Sequence, residues 1–171
     1  MIKVFITAKN CYTKWETKEA YMTKDVLVTI SGLQFSKDSG EAPEPVEVTC
    51  PGTYYKKNDK HYVVYEEIIE GFDGVTKNTL KLQPGSLDIM KRGVSNVHMV
   101  FEKNKKNRTC YNMPFGSLMM GIDAKGVVVE ESEHHIHASV SYELEMNYEK
   151  MADCEINIDI RSKGIGDFQL A

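Results

Sequence analysis

The sequence predicts an all-β protein, an antiparallel up-and-down β-barrel of about 8–10 strands with little helix. Three observations point there. Residues 135–148 alternate polar and apolar side chains without a break, a period of two that no helix fits. Shorter alternating runs recur along the chain between breaks rich in Gly, Asn, Asp and Pro. The connections are short, which favours neighbour-to-neighbour strand order over Greek-key crossings. Closing such a meander also removes the sheet edges that template aggregation.

Taken in chain order, Val26, Val28 and Ile30 alternate until Gly32, after which Leu33 and Phe35 carry the apolar parity. A one-residue phase slip at glycine reads as a β-bulge. Residues 36–45, rich in Gly, Pro and charge, read as a loop. Strands are expected at 46–55, 61–70, 75–83, 86–92, 97–103, 108–113, 117–123 and 127–131. The breaks carry turn chemistry: Asn58-Asp59, Asp73-Gly74, Pro84-Gly85, Gly93, Asn104 to Asn107, Pro114 to Gly116, and Asp123 to Gly126. The next strand places Ile136, Ala138, Val140, Tyr142, Leu144 and Met146 on a dry face. A polar hairpin at 147–150 leads to a last strand with Ala152, Cys154, Ile156, Ile158 and Ile160 on one face.

The chain has 171 residues, of which 42% are hydrophobic and 27% charged, an ordinary globular balance for one domain. A net charge of −4 supplies no basic field for non-specific nucleic-acid binding, and no apolar run approaches the ~20 residues of a membrane-spanning helix. Lys9 cuts the first apolar stretch short of a signal peptide. The four cysteines (Cys11, Cys50, Cys110, Cys154) form no C-x-x-C pair, so reduced thiols and a cytoplasmic location are expected. Residues 1–21 hold four lysines, two glutamates and the only tryptophan, Trp15. Residues 18–22 back-translate to a purine-rich ribosome-binding sequence ahead of an ATG. The expected organisation is therefore an N-terminal extension at 1–21 with the true start at Met22, a single barrel domain at 22–162, and a tail at 163–171.

The runs MTKDVLVTISGLQ (22–34), GTYYKKNDKHYVVYEE (52–67), TLKLQPGSLDIMKRG (79–93) and YNMPFGSL (111–118) resemble the YwiB-like family of uncharacterised bacterial β-barrel proteins. The likeness spans about residues 22–161. It includes Gly52, Tyr65, Glu67, Arg92, Gly93, Phe101, Tyr111, Gly116 and Tyr142. It implies a calycin-like barrel, the architecture of lipocalins, and carries no established activity.

Such barrels often enclose one small ligand. Met90, Met99, Met113, Met119, Met120 and Met146 fall on expected strands and would make an adaptable lining. The candidate ligand-binding residues of the interior are Tyr65, Glu67, Arg92, Tyr111 and Tyr142. Glu67 and Arg92 would anchor a headgroup if both faced inward, although the apolar parity of Leu87 and Ile89 opposes Arg92. His135 and His137 share a strand face at about 7 Å, a spacing that can chelate a metal. Their face is the wet one and the sequence fixes no third ligand, so no metal is expected. The basic run 103–108 reads as a solvated hairpin without aromatic platforms for RNA. Residues 61–70 are apolar on both faces, with Tyr62, Val64 and Ile68 on one, so a terminal segment or a second copy in a homodimer is expected to cover the outer set.

No nucleotide-binding or nucleophile motif is present, and no cofactor is expected. The leading expectation is a cytoplasmic barrel that binds a small apolar or amphipathic molecule without catalysis, with no nucleic-acid or membrane partner. One alternative is a solid barrel acting as an interaction or structural module. A weaker one is a lyase- or isomerase-like enzyme with Glu67 as its acid–base group.

Overall fold

The computed structural model of the protein describes residues 24–32 and 47–163. They form ten strands and no helix: β1 (Lys24–Ser31), β2 (Glu47–Lys57), β3 (Lys60–Ile68), β4 (Val75–Gln83), β5 (Ser86–Gly93), β6 (Val97–Glu102), β7 (Lys105–Met113), β8 (Gly116–Glu131), β9 (His135–Met146) and β10 (Glu149–Ser162). The sheet runs β6-β5-β4-β3-β2-β1-β10-β9-β8-β7, and every paired neighbour is antiparallel. Each strand thus lies beside its neighbour in the chain, and β1 meets β10, as an up-and-down barrel requires.

The remaining joint, between β6 and β7, has no ladder. Asn96 and Asn112 bridge it with backbone bonds of 2.8 and 2.9 Å, and the Asn107 amide donates to the Val100 carbonyl at 3.1 Å. The barrel is therefore nearly closed.

Alternation fixes which side chains fill it. In β9, Ile136, Ala138, Val140, Tyr142 and Leu144 are buried, and opposite them in β10 so are Ile156, Ile158 and Ile160. Phe101 and Tyr142 meet edge to face at 5.1 Å between centroids, within a packed region that includes Leu80, Leu82, Leu87 and Ile89. The tight hairpins use residues that tolerate positive φ: Asn58 and Asp59 (50° and 57°) join β2 to β3, and Asn147 and Tyr148 (48° and 71°) join β9 to β10.

One expected break is not a turn. Residues 117–123 and 127–131 belong to the single strand β8, and the interval Asp123 to Gly126 holds a register shift between Ala124 and Gly126. Ala124 and Val127 are both buried, so one extra residue is absorbed as a bulge while the strand continues. The parity switch expected at Leu33 and Phe35 lies outside the described residues. So do residues 1–21 and the tail beyond Lys163, whose amide donates to the Asp25 carbonyl at 3.1 Å.

The end of the barrel where β2 turns into β3 is sealed by polar contacts. Buried His61 shares a 2.9 Å hydrogen bond with the Tyr54 hydroxyl through Nδ1, and its Nε2 lies 3.4 Å from Glu131 at the end of β8. Lys56 meets the same carboxylate at 3.2 Å. Burial pulls the His61 imidazole toward its neutral form, against the opposing charge of Glu131.

Glycine is required where β5 ends. Gly93 has φ of 134°, and a Cβ there would fall 2.2 Å from the Val75 carbonyl oxygen of β4. Gly85 also has positive φ (74°) but faces open space. Gly93→Ala is expected to cost at least ~3 kcal/mol in urea denaturation, against about 1 kcal/mol for Gly85→Ala. Equal losses would show that the close approach is not what demands glycine.

Candidate functional site

At the opposite end the inner side chains stop short of filling the barrel. They leave a cavity of about 910 Å³. Its walls come from the C-terminal ends of β1, β3, β5 and β7 and the N-terminal parts of β2, β6 and β8. Ile30, Met99, Met113, Met120 and Met146 supply an apolar and deformable lining. Phe72, from the connection after β3, and Phe115, from the turn before β8, stand 6.5 Å apart at the rim, where Phe115 is 75% exposed.

A polar patch interrupts this wall, and the ladder explains it. Tyr65, Asn78 and Lys91 are direct cross-strand partners on the inner face of β3, β4 and β5. Glu67 lies two residues beyond Tyr65 on the same face, opposite Thr76. Lys91 Nζ donates to Glu67 Oε2 at 2.7 Å, and the Asn78 amide donates to the same oxygen and to the Thr76 carbonyl, both at 3.3 Å. The Ser95 amide donates to Thr76 Oγ1 at 3.3 Å. Two buried atoms of this patch, Ser95 Oγ and Asn78 Oδ1, have no hydrogen-bond partner among the described residues. Leaving such an atom unpaired costs about 1–3 kcal/mol, and Ser95 itself lines the cavity.

Burial, and after it the neighbouring acidic groups Cys50 and Glu67, pushes the Tyr65 phenol well above its usual range. Burial and then Glu67 likewise raise the Cys50 thiol, which is therefore a neutral wall group and not a nucleophile. The arrangement suits holding one polar atom of an otherwise apolar guest.

The structure brings Tyr65, Glu67 and Tyr111 together in the cavity wall. Tyr142 is inside the barrel but lies in the packed region against Phe101, away from the cavity. Arg92 is not an interior residue. It is exposed and its Nε donates to Met90 Sδ at 3.2 Å, because Leu87, Ile89 and Lys91 hold the inward parity of β5 and Arg92 takes the outward one. The inward cation beside Glu67 is Lys91. Sequence reasoning missed it, along with Asn78 and Ser95, although the parity of β5 pointed to Lys91. Of the methionines, Met90 and Met119 do not line the cavity.

On the outer surface, His135 and His137 both contact Asp159. The basic hairpin is paired with acids: Lys105 with Glu102, and Lys106 and Arg108 with Glu145. Of the outward apolar residues of β3, Tyr62 stacks on Tyr55 at 4.9 Å, while Ile68 is 79% exposed.

Fold and site together define the class: an all-β up-and-down barrel, packed at one end and hollow at the other. Residues 28–158 match the family described as Domain of unknown function (DUF1934), and the chain belongs to that family. It is similar in fold to the crystal structure of the ywiB protein from Bacillus subtilis, with a TM-score of 0.70 and 19% identity over 86% of this chain and 99% of that one. No curated protein matches the chain.

The buried phenols give a pH signature. Tyr65 and Tyr142 both have raised folded-state values, caused first by burial, so they keep their protons in the folded barrel where the unfolded chain loses them. Their contribution is intact below the unfolded value near pH ~10 and is lost as pH rises past it, by up to about 1.4 kcal/mol per pH unit for each phenol. Urea denaturation across this range should show a steep alkaline loss that becomes shallower in Tyr65→Phe/Tyr142→Phe. An unchanged slope in that variant would contradict the assignment.

Proposed function

We propose that the protein binds one small, largely apolar molecule with a neutral polar head in the end cavity, and that it does so without chemical conversion. The observation that carries this reading is a largely apolar cavity of about 910 Å³ with a hydrogen-bonded polar patch in its wall. That volume falls within the range of small-molecule sites, as does the pairing of apolar lining with a few convergent polar groups. The calycin-like architecture that the sequence resemblance implies would suit the same reading.

The patch favours a neutral head. The charge of Lys91 is already balanced by Glu67 at 2.7 Å, so a carboxylate guest would have to displace Glu67 or leave one buried charge uncompensated. A hydroxyl, carbonyl or amide meets no such cost. It can accept from the remaining protons of Lys91 and pair with the free hydroxyl of Ser95. The exposed Phe72, Ile68 and Phe115 give an apolar tail a surface at the rim. Neither this reading nor the patch requires a cofactor, and the expected cytoplasmic setting belongs to the same proposal.

The test is a fluorescence titration with the neutral amphipathic probe N-phenyl-1-naphthylamine, followed by displacement with a long-chain alcohol and with the matching carboxylate. Wild-type protein is expected to take up one probe per chain. Met99→Trp, which fills the cavity, should weaken uptake at least about tenfold, and Lys91→Met should reduce displacement by the alcohol by a similar factor. Absence of probe uptake, or uptake unaffected by Met99→Trp, would overturn the proposal. Preferential displacement by the carboxylate would overturn the neutral head.

A further inference from the structure

A second constellation lies on the outer face of the barrel, on β9 and on β10, the strand that pairs with β1 at the closure. His135 and His137 stand two residues apart on β9, so both imidazoles leave the same face of the sheet. Antiparallel pairing sets Asp159 of β10 directly opposite His137. The carboxylate then serves both rings through one oxygen: His135 Nε2 lies 2.6 Å from Asp159 Oδ1, and His137 Nδ1 lies 3.2 Å from it. The three ligand atoms all fall within 4.8 Å of one another.

We infer that His135, His137 and Asp159 form a binding site for a divalent transition-metal ion of the zinc type. Two imidazole nitrogens and a carboxylate oxygen are a donor set suited to Zn²⁺ and its first-row neighbours. A tetrahedral ion with bonds of about 2.1 Å holds its ligand atoms about 3.4 Å apart, so the three groups need only small side-chain rotations to close on one ion. On binding, the proton that each imidazole directs at Asp159 Oδ1 moves to the other ring nitrogen, or to solvent if that nitrogen is already protonated. A metal bond takes its place, and the carboxylate keeps its charge for the ion. The side chains are each about one-third exposed, so an ion reaches them from solvent and water completes its coordination.

The surroundings fit this assignment. The cross-strand row Thr49, Thr29, Asp159, His137 and Glu130 is polar throughout, and Glu130 brings a second carboxylate beside His137 on β8. Arg161, the cation opposite His135 among the described residues, is exposed. The sequence alone hid this site, because the third ligand comes from another strand and is fixed only by the β9–β10 register.

The test is calorimetric titration of the full chain with Zn²⁺ alone, together with the visible spectrum of the Co²⁺-loaded protein. One ion per chain with micromolar affinity is expected, and the cobalt spectrum should lack a thiolate charge-transfer band. His135→Gln/His137→Gln and, separately, Asp159→Asn should each weaken zinc binding at least about tenfold, the lower bound already seen when only supporting groups of metal sites are removed. Circular dichroism and thermal melting should match wild type, because all three residues sit on the outer face. Two folded variants of different chemistry keep the result readable if one fails to fold. No zinc uptake at micromolar concentration, unchanged uptake by both variants, or a thiolate band from the cysteines would each overturn the inference.

Discussion

The pairing of β1 with β10 is the contact on which the rest of the structure depends. Six in-register residue pairs, from Val26–Ser162 to Ser31–Asn157, join the first described strand to the last. They turn a meander of ten strands into a nearly closed barrel. Once that seam forms, every inward side chain is committed to one shared interior, and apart from the β6–β7 joint each strand has a ladder along at least part of both edges. The Asn96–Asn112 bridge and the Asn107 side chain hold that joint with few bonds, which is sufficient because β6 and β7 are already tethered by a short turn.

A single interior must be filled from ten directions, and it is filled unevenly. Toward the His61 end, the rings of Phe101 and Tyr142 and the buried leucines and isoleucines occupy the lumen, and polar contacts among His61, Tyr54, Lys56 and Glu131 close it. Toward the other end the wall is built of flexible methionines, and the ion pair of Lys91 and Glu67 sits where a packed core would place another apolar side chain. A part-buried pair of this kind is a weak source of stability against a well-packed apolar replacement. Its position beside unpartnered Ser95 Oγ is better explained by recognition than by folding.

Much of this was legible in the sequence, for a definite reason. Alternation along a strand is local, so the inner sets of β9 and β10 and the outward placement of Arg92 follow from parity alone, once parity is weighed above a tempting charge pair. The hairpin at Asn147-Tyr148 could be read from turn chemistry, whereas Asp123 to Gly126 used similar residues for a bulge within one strand. What could not be read is set by register between strands. Lys91 meets Glu67 across 24 residues, and Asp159 meets His135 across the same separation. The cavity is less local still, being the volume left after the side chains of most of the strands have been placed.

The central claim is that the lumen is packed at one end and hollow at the other. The most direct test compares the stability of two enlarging substitutions by urea denaturation, with no ligand needed. Met99→Phe extends into the cavity and is expected to be neutral or stabilising. Leu82→Phe, fully buried in the packed half, is expected to cost about 1–3 kcal/mol. Comparable losses at both positions would mean that the interior is uniformly filled, and would contradict the account.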